Sequence, residues 1–308
     1  MDMLRRVKME YGLSELKWVN ANQIFQSESG MKRIRIWKDK QLLQWHIKWR
    51  DEISKQSGIL LDRMIRTKNG EPFFICDKGW ATIHDEIEES YPSKGKEKDW
   101  GRLFGTALAF GLKQSDECQR FRKMQDQPLN EIKETISKLK TLDPMAKLVL
   151  ERSYFEAIKR RRKALDLRER IQINKLPILT PFITLADAKE VFFNLFWVCG
   201  EEQPIKGYDP MRKLLEEWYI KNGEASTIDL LNSINNYFSL KGDHGVQLLA
   251  ECLVPSELGR TVSQLETKTD KETANVMNQF FNSWETSRKL VILLGNWIEE
   301  DREKVVAK

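Results

Sequence analysis

Histidine and cysteine are scarce in this chain of 308 residues, which contains three histidines and four cysteines. The cysteines are far apart and form no C-x-x-C pair: Cys76, Cys118, Cys199 and Cys252. The histidines have no metal-ligand spacing such as H-E-x-x-H: His46, His84 and His244. These spacings argue against zinc sites and a disulfide framework, and favour reduced thiols in the interior.

The sequence also lacks the motifs that indicate common enzyme classes. It has no G-x-S-x-G, G-x-G-x-x-G or G-x-x-x-x-G-K-[ST] segment, so neither a hydrolase elbow nor a standard phosphate-binding loop is predicted. No apolar run approaches the roughly 18 residues that a membrane-spanning helix needs. The first residues have no apolar secretion segment, so we expect synthesis in the cytosol. The residues by themselves name no reaction.

What the chain does contain is a change of pattern near residue 90, and its length allows two domains. Residues 22–37 predict a hairpin, residues 40–56 a helix that ends at Ser57-Gly58, and residues 59–83 a three-stranded meander. After Pro92 the spacing of apolar residues is mostly helical. We therefore predict a small β-rich lobe over 1–90 and a helical lobe over 91–308, an α+β class.

For the helical lobe, the sequence predicts the elements in outline. Residues 113–127 are polar and predict a loop. Residues 175–181 and 191–198 predict a small strand pair. The apolar stripe around Trp100 indicates one helix. Further along the chain, the spacing of apolar residues predicts helices over 129–139, 144–174, 209–222, 226–239, 243–254 and 271–303.

A β-rich lobe with one helix, followed by a helical lobe with a short strand pair, is the layout of protein-kinase-like phosphotransferases. The local sequence is more specific than this order of elements. Four segments carry it: Gly-Met-Lys-Arg-Ile-Arg at 30–35, Arg-Thr-Lys-Asn-Gly-Glu-Pro-Phe at 66–73, Trp-Ala-Thr-Ile at 80–83 and Asp-Trp-Gly-Arg-Leu-Phe-Gly-Thr-Ala-Leu-Ala at 99–109. These segments resemble the bacterial spore coat kinase-like family of the CotS and YutH types, which is related to aminoglycoside and choline phosphotransferases. The resemblance implies a bilobed protein-kinase-like fold.

The resemblance also assigns positions in the small lobe. An active relative has a lysine near the end of the third strand, paired with the nucleotide phosphates and with a glutamate on the next helix. Here Arg35 matches that lysine, and arginine is not a conservative replacement at a phosphate site. Glu52 or Asp51 is the candidate helix partner, and the alternative is a solvated acid beside Arg50.

The catalytic loop of the family matches residues 179–183, which places Ile183 at the position of the catalytic base. Isoleucine cannot accept a proton from a hydroxyl nucleophile. The magnesium-holding acid is expected within 198–202, where Glu201 is a candidate, although two neighbouring acids at a turn are more typical of solvated residues. The resemblance therefore implies a pseudokinase without catalytic, cofactor-binding or metal-binding residues and without a cofactor.

The expected role is structural. The resemblance implies a protein made in the mother-cell cytoplasm, deposited in the spore coat and contacting other coat proteins, with no membrane and no nucleic acid as partner. One alternative is an active small-molecule phosphotransferase with displaced residues, for which the plausible acids are Asp187, Glu201, Glu202 and Asp209.

A further alternative is nucleic-acid binding by the basic segment 156–175. It has eight lysines and arginines against three acids, so its charge attracts nucleic acid or an acidic protein surface. The other interpretation is a solvated helix face with ion pairs along the helix. Trp37, Trp45 and Trp49 are expected in the core of the small lobe, with an exposed binding surface as the alternative.

Overall fold

The computed structural model describes residues 2–20, 23–115, 128–139, 142–181, 183–267 and 270–306. In chain order, the elements up to residue 115 are α1 (Met3–Tyr11), β1 (Lys17–Trp18), β2 (Ile24–Ser27), β3 (Gly30–Trp37), α2 (Lys40–Ser57), β4 (Leu60–Leu61), β5 (Phe74–Cys76), β6 (Gly79–Asp85) and α3 (Glu97–Lys113). From residue 128 they are α4 (Leu129–Lys138), α5 (Pro144–Glu169), β7 (Ile178–Leu179), β8 (Ala188–Val191), β9 (Asn194–Trp197), β10 (Ile205–Lys206), α6 (Asp209–Asn235), α7 (Asp243–Leu253), α8 (Ser256–Leu265) and α9 (Asp270–Val306).

The chain divides into two compact units. The first comprises Met1–Pro92 and Thr184–Gln203, and the second comprises Ser93–Ile183 and Pro204–Lys308. This division differs from the predicted one, which cuts the chain once near residue 90. The difference lies in the segment 184–203, which belongs to the first unit because β9 pairs there with β4.

The first unit contains an antiparallel sheet with the strand order β1-β2-β3-β6-β5. The predicted hairpin is confirmed, since β2 and β3 pair across a turn at Glu28 and Ser29. The predicted meander is confirmed only for β5 and β6. The expected strand over 59–65 is reduced to β4, which pairs in parallel with Phe196 and Trp197 instead. Helix α1 was not predicted, and it places Val7 in the core of this unit.

Helix α2 follows the prediction closely because its ends have local signals. The Asp39 side chain accepts hydrogen bonds from two backbone amides of the first turn, and Gly58 ends the helix in the left-handed conformation at φ +69°. The tryptophans of this region are 3%, 8% and 4% exposed, in the order Trp37, Trp45 and Trp49. They form core, and the alternative of an exposed binding surface is wrong.

The strand pairing predicted for 175–181 and 191–198 is wrong. A tight turn at Phe192 and Phe193 divides the second of these segments, so that β8 and β9 pair with each other. Strand β7 pairs with β10 in the second unit. The turn was not predicted from the sequence because Leu195, Phe196 and Trp197 continue the hydrophobic run.

The second unit is mostly helical. Helices α3 and α6 approach closely because Gly101 faces Ser233, where an added Cβ atom would collide. Helix α6 covers two predicted helices, joined across a kink at Gly223 with φ +82°. Helix α8 was not predicted as a separate element. Residues 116–127 of the expected loop lie outside the described residues.

Three cysteines belong to the described chain, and all three are free: Cys199 and Cys252 are buried, and Cys76 is half-buried. Cys118 lies outside the described residues. Among the helices that the structure describes, none is both long and apolar enough to cross a membrane.

Candidate functional site

Arg35 lies on β3 in the first unit, at the position that the family resemblance assigns to a phosphate-binding lysine. Its side chain is only 6% exposed. One terminal nitrogen forms an ion pair of 3.0 Å with Oδ2 of Asp62. The other donates to the carbonyl oxygen of Cys199 at 2.6 Å. Both ends of the guanidinium group are thus engaged by the protein.

The residue of α2 that approaches this position is basic. Arg50 is fully buried and donates from Nε to Oδ1 of Asp62 at 2.9 Å. Its terminal nitrogen Nη2 donates to the carbonyl oxygens of Cys199 at 3.1 Å and Gly200 at 2.9 Å. Asp62 therefore stands between two arginines, and we call Arg35, Asp62 and Arg50 the arginine cluster.

Both acids predicted as the helix partner of Arg35 point elsewhere. Asp51 forms ion pairs with Arg63 at 2.7 Å and Arg66 at 2.9 Å. Glu52 accepts a hydrogen bond from Gln56, one turn further along α2. The interpretation of Glu52 or Asp51 as the helix partner is wrong, and the other interpretation, acids on the outer face beside Arg50, agrees with the structure, in which Arg50 lies on the buried face.

Asp62 is the only acid in the arginine cluster and is 1% exposed. Burial by itself would raise the pKa of its carboxyl group, but the positive charges of Arg50 and Arg35 outweigh burial and hold the pKa below its ordinary value. The backbone amide of Cys199 also donates to Oδ1 at 3.0 Å. The carboxylate is therefore ionised and ties β3, α2 and the segment after β9 together.

Two buried histidines complete the network, and the hydrogen bonds assign their neutral tautomers. His46 donates from Nε2 to the carbonyl oxygen of Glu202 at 3.0 Å and accepts at Nδ1 from Arg50 at 2.8 Å. His84 donates from Nδ1 to the carbonyl oxygen of Asp62 at 2.7 Å and accepts at Nε2 from Thr82. Burial lowers the pKa of His84 to about 3 and that of His46 well below 6.5.

These histidines predict that the first unit loses stability in mild acid. Each is neutral when folded and gains a proton when unfolded below pH 6.5, so its stabilising effect is complete above pH 6.5 and is lost as the pH falls, down to about 3 for His84. The expected slope is about 1.4 kcal/mol per pH unit for each histidine. Urea unfolding between these pH values measures it. In the variant His84→Asn the slope should fall by the contribution of one histidine, and an unchanged slope would contradict the assignment.

The segment Cys199–Glu202, where the resemblance places the magnesium-holding acid, is held by its backbone carbonyl groups. Those of Cys199 and Gly200 accept from the arginines, and that of Glu202 accepts from His46. The Glu201 side chain is 46% exposed, and its carboxylate lies 3.5 Å from Nε of Arg35. Burial raises the pKa of Glu201. Across the described residues, no group of three or more histidines, cysteines and acids has metal-ligand geometry.

The predicted catalytic loop begins with buried residues. Leu179 and Thr180 are 1% and 4% exposed, and Ile183 is 6% exposed. Phe182 lies outside the described residues. Ile183 thus occupies its position as a hydrophobic side chain, which has no proton-accepting group.

Two of the acids considered for an active enzyme have local structural roles. Asp187 forms a capping box with Thr184, accepting from its amide at 3.1 Å and its hydroxyl at 2.9 Å, and burial raises the pKa of Asp187. Asp209 forms ion pairs within α6, at 2.6 Å with Arg212 and 2.7 Å with Lys213. These contacts are typical of helix ends and do not require a ligand.

The basic segment 156–175 lies in the second unit, and α5 ends within it at Glu169. Two of its cations form ion pairs with other helices. Arg160 is buried and pairs with Glu257 at 2.7 Å, and Arg168 pairs with Glu251 at 3.0 Å. Neither pair fits the interpretation of a solvated face with ion pairs along the helix, because both partners lie on neighbouring helices and Arg160 is buried.

Comparisons with known proteins place the fold. No protein-family model matches the chain, and no curated protein matches its sequence. Solved structures do match over nearly the full length. An aminoglycoside phosphotransferase from Alicyclobacillus acidocaldarius has a TM-score of 0.65 at 12% identity, with 96% of each chain covered.

Two further structures agree with this match. The AMP-bound complex of a spectinomycin phosphotransferase has a TM-score of 0.60 at 14% identity, covering 92% of this chain and 96% of that one. A microcompartment-associated aminopropanol kinase has a TM-score of 0.56 at 10% identity, covering 97% and 98%. These matches confirm the predicted α+β, protein-kinase-like class. The chain therefore has the fold of the aminoglycoside phosphotransferases and related kinases.

Proposed function

We propose that this chain is a catalytically inactive kinase-like protein that acts through protein contacts, as a structural or assembly component of the bacterial spore coat. The observation that supports inactivity is the arginine cluster. Arg35 stands where the resemblance implies a phosphate-binding lysine, and its charge is bound by Asp62 and by the Cys199 carbonyl. The cluster joins three parts of the first unit and so has a structural purpose of its own.

The cluster also disfavours magnesium. Arg35 and Arg50 both contact the segment where the metal-binding acid is expected, and Asp62 offsets only one of the two charges. A dication in this segment is repelled by the guanidinium charge that Asp62 does not offset. Glu201 is the nearby carboxylate that offsets the second charge, which leaves it a poorer metal ligand.

The catalytic base supplies the second argument. Ile183 replaces it at the matching position of the loop, and the nearest acid further along the chain, Asp187, caps the turn that starts at Thr184. General-base catalysis contributes about 10²–10⁴-fold to a typical rate. A chain that lacks the base and carries an engaged phosphate residue is therefore proposed to be a pseudokinase.

The spore coat assignment rests on the resemblance of the four segments between residues 30 and 109. Its partners are proposed to be other coat proteins, reached after synthesis in the mother cell. The test is fractionation of spores from the source organism with an antibody against this chain. Recovery in the extracted coat is expected, and recovery only in the spore core or in vegetative cells would contradict the assignment.

The expected result with nucleotide is no reaction. Purified protein mixed with ATP and magnesium should release no ADP in the presence of aminoglycosides or amino alcohols, and its melting temperature should stay unchanged, because the phosphate residue and the metal segment are engaged within the protein. An aminoglycoside phosphotransferase assayed in parallel is the positive control. Sustained phosphotransfer would overturn the proposal.

The second candidate is an active small-molecule phosphotransferase, favoured by the activities named for the matched structures. Its acid would be Glu201, the half-exposed carboxylate beside Arg35. If phosphotransfer is observed, Glu201→Gln should abolish it, whereas Asp51→Asn on the outer face of α2 should not. Activity that survives Glu201→Gln would exclude this role for Glu201.

A further inference from the structure

The turn between β8 and β9 presents two phenylalanines to solvent. Phe192 is 89% exposed and Phe193 is 85% exposed, more than any other large apolar residue of the described chain. Both have positive φ angles, +49° and +63°. Two-residue hairpin turns with positive φ at both positions favour Asn-Gly and similar pairs, and bulky residues are rare there.

Neither phenylalanine is explained by the hairpin itself. The left-handed backbone strains a residue with a Cβ atom, and the exposed rings bury little apolar surface. Strained backbone that persists on a protein surface is often associated with a binding role. Phe192 and Phe193 therefore have the features of residues that contact another molecule.

The surroundings of this turn carry three acids and one cation, Lys189, and so have a net negative charge. Glu190 precedes it on β8, and its amide donates to the carbonyl oxygen of Glu89, so that the segment with Glu88 and Glu89 runs beside the hairpin. Glu88 and Glu89 are exposed, and Glu190 is half-buried. We call Phe192 and Phe193, with Glu88, Glu89 and Glu190, the acidic tip. Its charge disfavours an anionic lipid surface and favours a basic one.

The outer face of α5 has the complementary character. Leu148, Arg152, Phe155, Lys159 and Arg162 follow one another at three and four residues, so they share one face of the helix. Leu148 and Phe155 are 38% and 63% exposed, and the three cations are also exposed. We call these five residues the basic face. It has two apolar side chains and three cations, and its net charge stays positive although the exposed acids Glu151 and Asp166 lie nearby on the same helix.

We propose that the acidic tip of one copy docks on the basic face of a second copy. Both surfaces are exposed among the residues that the structure describes, both offer aromatic rings, and their net charges are opposite. The two surfaces differ, so one tip-to-face contact leaves a free tip and a free face; these join further copies head to tail or pair with each other in a two-fold dimer. This inference goes beyond the proposed function, because it holds whether or not the protein transfers phosphate.

The test uses a tip variant, Phe192→Asn with Phe193→Gly, and a face variant, Phe155→Ser with Lys159→Glu. The tip variant introduces the residues that the turn prefers, so it should melt at the same temperature as the parent protein or higher. Sedimentation velocity is measured up to about 100 µM, a concentration suited to micromolar affinity. The parent protein should gain mass with concentration, and each variant alone should stay monomeric.

Mixing the two variants gives the decisive measurement. The mixture retains one intact tip and one intact face, so it should form one-to-one pairs and nothing larger. A matched control, Ile220→Ser, removes an exposed apolar residue elsewhere, 67% exposed, and should associate like the parent protein. Added salt should weaken the association. A monomeric parent protein, or a mixture that stays monomeric, would overturn the proposal.

Discussion

Replacing Asp62 with alanine is expected to lower the free energy of unfolding of the first unit by about 3–5 kcal/mol. The substitution leaves Arg35 and Arg50 buried without their shared counter-ion, and both are at most 6% exposed. It also removes the acceptor of the Cys199 amide. Urea unfolding measures the loss, and hydrogen exchange over residues 30–57 assigns it to β3 and α2.

The matched control is Asp51→Ala on the same stretch of chain. Asp51 also pairs with two arginines, Arg63 and Arg66, but these pairs are largely exposed. Surface pairs contribute about 0–1 kcal/mol, so this variant should unfold almost like the parent protein. Equal losses for Asp62→Ala and Asp51→Ala would show that burial of the arginine cluster adds nothing.

Replacing Arg160 with alanine is expected to cost the second unit about 3–5 kcal/mol for the same reason. Arg160 pairs with Glu257, donates to the Cys252 carbonyl and the Ser287 hydroxyl, and lies 4.7 Å from the ring of Trp284. Its loss leaves the Glu257 carboxylate buried, at 3% exposure, without a counter-ion. Thermal and urea unfolding measure the effect.

Lys163 supplies the control for this prediction, because it lies three residues along the same helix, is exposed and is not part of the basic face. Lys163→Ala should change the free energy of unfolding by less than about 0.5 kcal/mol. The double replacement Arg160→Met with Glu257→Leu removes both charges and should recover most of the loss. A double variant as unstable as Arg160→Ala would show that packing around Arg160, rather than its charge, stabilises the unit.

The parts of the fold that follow from local signals were predictable. Asp39 and Gly58 mark the ends of α2, and the hairpin of β2 and β3 surrounds a recognisable turn. Strand β4 was not predictable in its true role, because its partner β9 lies more than a hundred residues later. Pairings of this kind depend on the whole unit and leave little trace in a short window of sequence.

The same distinction applies to the site. Arg35 was found because it lies within a recognisable strand, whereas Arg50 lies in a polar stretch, Lys48-Trp49-Arg50-Asp51-Glu52, where a cation usually indicates solvent. The available signal was helical spacing, since His46 and Ile53 share the buried face with Arg50. Asp62 carried no local signal, because its partners come from β3, α2 and the segment after β9.

The first unit is assembled from two separate stretches of chain, and this affects its biosynthesis. The hydrogen bond between Cys199 and Asp62 spans 137 positions. At about 5–20 residues per second, the ribosome needs roughly 5–20 s to make the intervening chain after Pro92. During that time Arg35 on β3 and Arg50 on α2 have been synthesised, but the carbonyl groups that accept their hydrogen bonds have not. The arginine cluster therefore gains its carbonyl acceptors only after Cys199 and Gly200 have left the ribosome.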